Sequence, residues 1–188
     1  MVHRNPHIKG RRVHSLLALM LMALLFLSAC SGGAAKAPVL DEAFLGQAHE
    51  AVKQAYGEAY LPSMPLDETM LNDIFGLPMD EVEAFVAEGP MMSTHVDTFI
   101  GLRAKPGKGE TVAEAMRQYR ENLVKNSMQY PMNMPKVNAS TVHVMGDHVF
   151  FLMLGAYNED PDATEDEALA FAQAQAKLGL DAIEGLVR

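Results

Sequence analysis

Thr141–Leu154, TVHVMGDHVFFLML, decides the fold class. Gly146-Asp147 is a two-residue turn of the kind that needs positive φ. It sets a hairpin register in which Val144 faces Val149 and Val142 faces Phe151. His143, Met145, His148, Phe150 and Leu152 then fall together on the other face. Both faces are largely apolar, which places this hairpin at the centre of its sheet or under cover on both sides.

Working back from the hairpin, Ser127–Val137 (SMQYPMNMPKV) has two prolines and no period, and reads as a loop. Glu110–Asn126 reads as a helix, with Val112, Met116, Tyr119 and Leu123 on its buried stripe. Lys105–Gly109 is a turn. Thr94–Lys105 (THVDTFIGLRAK) alternates, with Val96, Thr98, Ile100 and Leu102 on one face and His95, Asp97, Phe99 and Arg103 on the other. Val82–Glu88 admits a helical pairing of Val82, Phe85 and Val86, but the alternation of Val82, Ala84 and Val86 before a Gly89-Pro90 turn favours a strand.

Two helices precede this strand. Asp41–Tyr56 has Leu45, Ala48, Val52 and Tyr56 in phase and stops at Gly57, and a short helix begins at an Asp67 cap and ends at Gly76. The proline-punctuated Tyr60–Leu66 connects them. After the hairpin, Asn158–Asp166 is acidic and exposed. Thr164 with Glu167 forms a capping box. The last helix runs to about Leu186, with Leu169, Ala172, Ala176, Leu180, Ile183 and Val187 in phase, and Gly179 interrupts it at modest cost. The expected architecture is α+β. Two N-terminal helices precede a tandem ββα-ββα arrangement, its four-stranded antiparallel sheet packed with helices.

The N-terminal stretch speaks to location. Residues 1–14 carry Arg4, Lys9, Arg11 and Arg12 and no acid, and an apolar run follows from Leu16 to Leu27. This is the n-region and h-region of a secretory signal. The run is shorter than the about 20 residues that span a bilayer. It ends in Leu27-Ser28-Ala29-Cys30, a match to the bacterial lipobox, and Cys30 is the one cysteine in the chain. Small residues at Ser28 and Ala29 let the peptidase grip extended backbone, and the Cys30 thiol accepts the diacylglyceryl group. Two acyl chains anchor stably where one would be marginal. The expected organisation is a lipoprotein signal peptide over residues 1–29, a lipidated Cys30 with a flexible tether over residues 30–40, and a single extracytoplasmic domain over residues 41–188. The expected location is the outer, extracytoplasmic face of the cell membrane.

All 24 acids but only 11 of the 15 Lys and Arg follow Cys30, a net charge of −13. Such a domain is repelled by phosphate backbones and anionic lipid, which removes nucleic acid as a partner. The expected partners are the membrane, through the lipid, and a cell-envelope protein.

Gly89-Pro-Met-Met-Ser-Thr-His-Val-Asp-Thr-Phe99 and Gly146-Asp-His-Val-Phe-Phe-Leu152, together with the lipobox and the charged helix between them, resemble the lipoprotein family labelled domain of unknown function 4358. The likeness covers roughly residues 41–157. It implies a membrane-anchored extracytoplasmic domain and supplies no substrate or catalytic residue.

Two clusters carry candidate chemistry. His95, Asp97, His143 and His148 offer imidazole and carboxylate to a divalent ion, if the second strand neighbours the hairpin. Met128, Met132 and Met134 offer soft thioethers to copper(I). Against each stands a plainer reading, half-buried strand histidines in the first case and methionines that plug a loop onto the core in the second. The chain has no Gly-x-Ser-x-Gly elbow, no His-Glu-x-x-His and no phosphate loop, and no cysteine nucleophile after Cys30. The first expectation is therefore a non-enzymatic binding or interaction domain without a cofactor. Its contact surface would be the apolar face of Phe99, Met145, Phe150 and Leu152, unless a helix covers it. The alternative is a metal- or small-ligand-binding lipoprotein.

Overall fold

The structure, a computed structural model, describes residues 43–188. The expected signal peptide with Leu27, Ser28, Ala29 and Cys30, the expected tether and the expected Asp41 cap lie outside these residues. Among the described residues no helix is long and apolar enough to cross a membrane.

The hairpin forms in the register set by its turn. β4 (Thr141–Met145) and β5 (His148–Met153) pair with Val144 opposite Val149 and Val142 opposite Phe151. Gly146 takes the positive φ, +63°. Upstream, β2 (Val82–Gly89) and β3 (Thr98–Ala104) form the other antiparallel pair. A register shift between Val82 and Ala84 turns Val82 and Phe85 toward one core and Ala84 and Val86 toward the other. The two-residue β1 (Met64–Pro65) adds itself beside β2, so the antiparallel sheet has five strands, in the order β1-β2-β3-β5-β4, rather than the expected four. A proline, which has no N–H to donate, suits an edge strand.

Among the described residues there are five α-helices: α1 (Phe44–Tyr56), α2 (Glu68–Asp73), α3 (Gly109–Asn126), α4 (Met134–Ala139) and α5 (Glu165–Gly185). Their local signals hold. The Asp67 side chain accepts from the Met70 N–H at 2.8 Å, and Thr164 and Glu167 cap each other at the start of α5. The last four residues of the stretch read as a loop begin α4, which the fixed φ of Pro135 in its first turn favours.

Each sheet face carries its own core. On one, Ile100, Leu102, Val149 and Phe151 meet Val112, Ala113 and Met116 of α3, with Leu71 and Leu77 beside them. On the other, Phe99, Phe150 and Leu152 meet Phe44, Leu45, Ala48 and Val52 of α1 and Ile183 of α5. Burying each of the larger of these side chains contributes about 1.5–3 kcal/mol. The helices that close the two ββα units thus lie on opposite faces. A two-fold axis relating neighbouring antiparallel strands stands perpendicular to the sheet and would keep both on one face. The tandem arrangement is not a symmetric pair.

Two glycines in helices behave oppositely. Gly179 lets α5 approach the sheet, since a Cβ there would lie 2.5 Å from Leu152 Cδ2 and 2.9 Å from the Tyr56 hydroxyl. Gly46, exposed in α1, has no atom within 4 Å of a built Cβ. Gly46→Ala is expected to stabilise the chain by about 0.5–1 kcal/mol, measured by urea denaturation, because it relieves the helix of glycine's entropy cost.

Candidate functional site

Residues 94–97 leave the sheet that the alternating pattern assigned them to. The Thr94 carbonyl accepts from Asn133 Nδ2 at 3.0 Å, and Thr98 Oγ1 donates to the Val96 carbonyl at 2.9 Å. This detour carries Asp97 inside, where it is fully buried and paired with Lys136 of α4 at 2.6 Å. The Lys136 ammonium also stands 3.7 Å from the centre of the Tyr157 ring, a cation–π contact. The Tyr157 hydroxyl donates to Asn133 Oδ1 at 3.0 Å and lies 3.4 Å from both Asp97 Oδ2 and His95 Nδ1. Three segments distant in sequence therefore meet in one polar knot.

Burial dominates the titration of this knot. It pushes the Asp97 carboxyl up, with Lys136 opposing, and pushes the Lys136 ammonium down, with Asp97 opposing. Burial and the nearby Asp97 charge push the Tyr157 phenol up to about 12, so it stays a hydrogen-bond donor at neutral pH.

Lys136 and Tyr157 of the knot line a groove of about 690 Å³ between α4 and the start of α5. Met132, Met134, Pro135, Leu169 and Phe171 give it apolar walls. Leu169, of the apolar stripe of α5, lines this groove and joins neither core. A pocket of this size with a few convergent polar groups is the general form of a ligand site. Lys136 is the one cation among the described residues that line it, and Asp97 neutralises it. Glu165 and Asp166, at the first turn of α5, also line the groove and have no hydrogen-bond or ion-pair partner among the described residues.

An exposed apolar patch adjoins the groove. Among the described residues nine large apolar side chains are exposed, and five of them, Met91, Met92, Met128, Tyr130 and Met132, lie on the two loops that the Asn133–Thr94 hydrogen bond ties together. Such clustering differs from the scattered single exposures that are ordinary on a protein surface.

The candidate residues read from the sequence are redistributed. His95 and Asp97 meet in the knot, but His143 and His148 do not join them. His148 pairs with Arg103 at the far end of β3 from Thr98, about 17 Å along the strand. It is buried with Nε2 unpaired and packs edge-on against Phe44 at 5.3 Å. Burial and the Arg103 charge push its imidazole down. His143 lies on β4, with Nε2 3.8 Å from Glu184. Among the described residues no group of three or more His, Cys, Asp or Glu is placed to hold a metal ion, so the four-residue centre is corrected. Of the three methionines offered to copper, Met132 and Met134 line the groove and Met128 stands fully in solvent.

The proposed contact face is corrected too. Phe99, Phe150 and Leu152 are 0% exposed beneath α1 and α5, and Met145 is half-buried against the same core. Apolarity on both strand faces reflected helices on both sides of the sheet.

Asn133, Lys136 and Tyr157 were not singled out from the sequence. Asn133 and Lys136 belong to the α4 segment and Tyr157 to the stretch after the hairpin, with no characteristic spacing to Asp97. The composition of the Met-Pro segment around Lys136 was its only local mark. A second unforeseen cluster holds α1 to the sheet: Tyr60 donates to Glu88 Oε2 at 2.9 Å, and His49 Nε2 lies 3.0 Å from the Tyr60 hydroxyl and 3.1 Å from the same carboxylate.

The family described as Domain of unknown function (DUF4358) matches residues 55–154, just over half of the chain. The chain belongs to the DUF4358 family. The matched span of this DUF4358 protein runs from the end of α1 through β5, taking in the whole sheet, Asp97 and Lys136. It stops before Tyr157 and the α5 wall of the groove. No curated protein and no solved structure matches the chain.

Proposed function

We propose that this DUF4358 protein is a lipid-anchored, extracytoplasmic binding protein whose contact surface is the groove between α4 and α5 with the methionine-rich patch beside it. The observation that carries this reading is the concentration of exposed apolar side chains on the two loops next to a groove that already has apolar walls. Methionine suits the role because its unbranched, polarisable side chain adapts to different partners. The knot of Asp97, Lys136, Asn133 and Tyr157 holds the groove wall rigid without exposing a charge. The lipobox at Leu27–Cys30 supports the anchor.

Two measurements test the two halves of the proposal. Cells fed an alkyne-bearing palmitate are expected to label the wild-type chain and not Cys30→Ser, and an unlabelled wild-type chain would remove the anchor. A benzophenone amino acid at Met132, irradiated in living cells, is expected to give a discrete heavier adduct, while the same group at the exposed Asn122 of α3 gives none. Equal adducts at both positions, or none at Met132, would remove the groove as the contact surface.

A further inference from the structure

We infer that the occupant of the α4–α5 groove is a cationic amphipathic peptide segment, one that presents apolar side chains with Lys or Arg beside them. This rests on the binding role proposed above and adds the class of partner.

The walls set the first requirement. Met132, Met134, Leu169 and Phe171 offer apolar surface and no directional recognition, so what they take must bring apolar side chains of its own. The charge sets the second. Lys136 has its charge matched by Asp97 inside the protein. Glu165 and Asp166 have no side-chain partner among the described residues; the α5 dipole favours them in its first turn, but their full charges face solvent at the groove. Two acids nearby in the chain, which do not line the groove, are held in local hydrogen bonds. Glu167 is held by the Thr164 capping box, which keeps its carboxyl below the usual range, and Asp160 accepts from the Asp162 N–H at 3.0 Å. An anionic segment, or a bilayer surface of anionic lipid, would meet uncompensated negative charge at the mouth, while Lys or Arg beside the apolar side chains would neutralise it. An adaptable methionine surface bounded by acids matches the helix-in-groove mode of recognition, in which a basic amphipathic segment lays its apolar face down.

The test uses the full chain, held by its lipid in phosphatidylcholine nanodiscs, and two synthetic amphipathic peptides of equal apolar content, one Leu/Lys and one Leu/Glu. Each carries a benzophenone, and adducts are mapped by mass spectrometry. The Leu/Lys peptide is expected to mark residues 131–135 and 168–172 about tenfold more than the Leu/Glu peptide does. The double variant Glu165→Gln/Asp166→Asn is expected to cut that marking about fivefold, the range available to two solvent-facing charge pairs. Raising the salt is expected to reduce it likewise. Equal marking by both peptides, or marking unchanged in the double variant, would overturn the cationic partner and leave the groove as a binding surface. Groove residues left unmarked by both peptides would overturn the partner. If the Met132 probe in cells also gave no adduct, the binding role itself would go. Marking of lipid alone by the Leu/Lys peptide would overturn the inference in favour of membrane contact.

Discussion

Asp97→Ala is expected to cost about 3–5 kcal/mol, because it strands the Lys136 ammonium inside the protein. Lys136 is only 4% exposed, and the face of the Tyr157 ring is all that remains beside its charge. Set against a total stability of about 5–15 kcal/mol for a domain of this kind, such a loss takes much of the fold's margin. Urea denaturation at neutral pH reads it directly. The pair need not contribute much net stability, since desolvating two charges offsets most of their attraction. Adding Lys136→Met to Asp97→Leu is therefore expected to return the greater part of what the single change removes. An Asp97→Ala loss below about 1 kcal/mol would mean the pair is solvated and the knot is not the rigid wall described, since only exposed pairs contribute that little. The same change is expected to loosen α4 selectively, visible as faster amide exchange over residues 134–139 than over β5.

Gly109→Ala is expected to destabilise by about 3 kcal/mol, the upper end of the cost of overpacking. Alanine ordinarily favours a helix over glycine by about 1 kcal/mol. Here the start of α3 lies directly against the hairpin turn. A Cβ on Gly109 would sit inside the contact radius of the Gly146 carbonyl oxygen and 2.9 Å from Asp147 Cα, both backbone atoms that cannot rotate aside. The approach has a purpose. The Asp147 carboxylate accepts from the Gly107 N–H at 3.0 Å and the Gly109 N–H at 3.1 Å, so a residue of the hairpin caps a helix nearly 40 positions upstream. An anion at a helix N-terminus is also favoured by the helix dipole. Asp147→Ala removes the cap without adding bulk and is expected to cost about 1–2 kcal/mol. Gly109→Ala must exceed it in urea denaturation; a smaller effect would mean that turn and helix stand further apart.

The same Gly146-Asp147 pair shows how much of the molecule was readable in advance. A turn of two residues and the alternation around it determine a register by local geometry alone, and β4 and β5 pair as those residues require. Capping at Asp67 and Thr164 is likewise a matter of three or four consecutive residues. What went unread was longer in range. Thr94–Asp97 alternates like a strand, yet the cost of burying Asp97 is offset only where Lys136 waits, 39 residues away, and the chain leaves the sheet to reach it. β1 pairs with β2 through two residues, one of them a proline, too few for any period to show.

The candidate site divides in the same way. His95 and Asp97 were visible as residues able to carry chemistry, and Met132 and Met134 as soft surface. The hairpin strands that carry His143 and His148 were also legible, but His95 lies outside the sheet before Thr98, and β3 separates it from His148 by its length. The apolar face of Phe99, Phe150 and Leu152 could have met solvent, a partner or a helix, and periodicity within a strand is identical in all three cases.

By itself the sequence determined the α+β class, the hairpin register, most helix ends and the acidic charge, because turns, caps, period and charge each reside in a few neighbouring residues. Only the tertiary structure decided that α1 and α5 cover one sheet face, that Asp97 and Lys136 neutralise each other, and that a groove with exposed methionines remains. Those outcomes depend on which surfaces of distant segments bury the most apolar area together, and no stretch of chain carries that information alone.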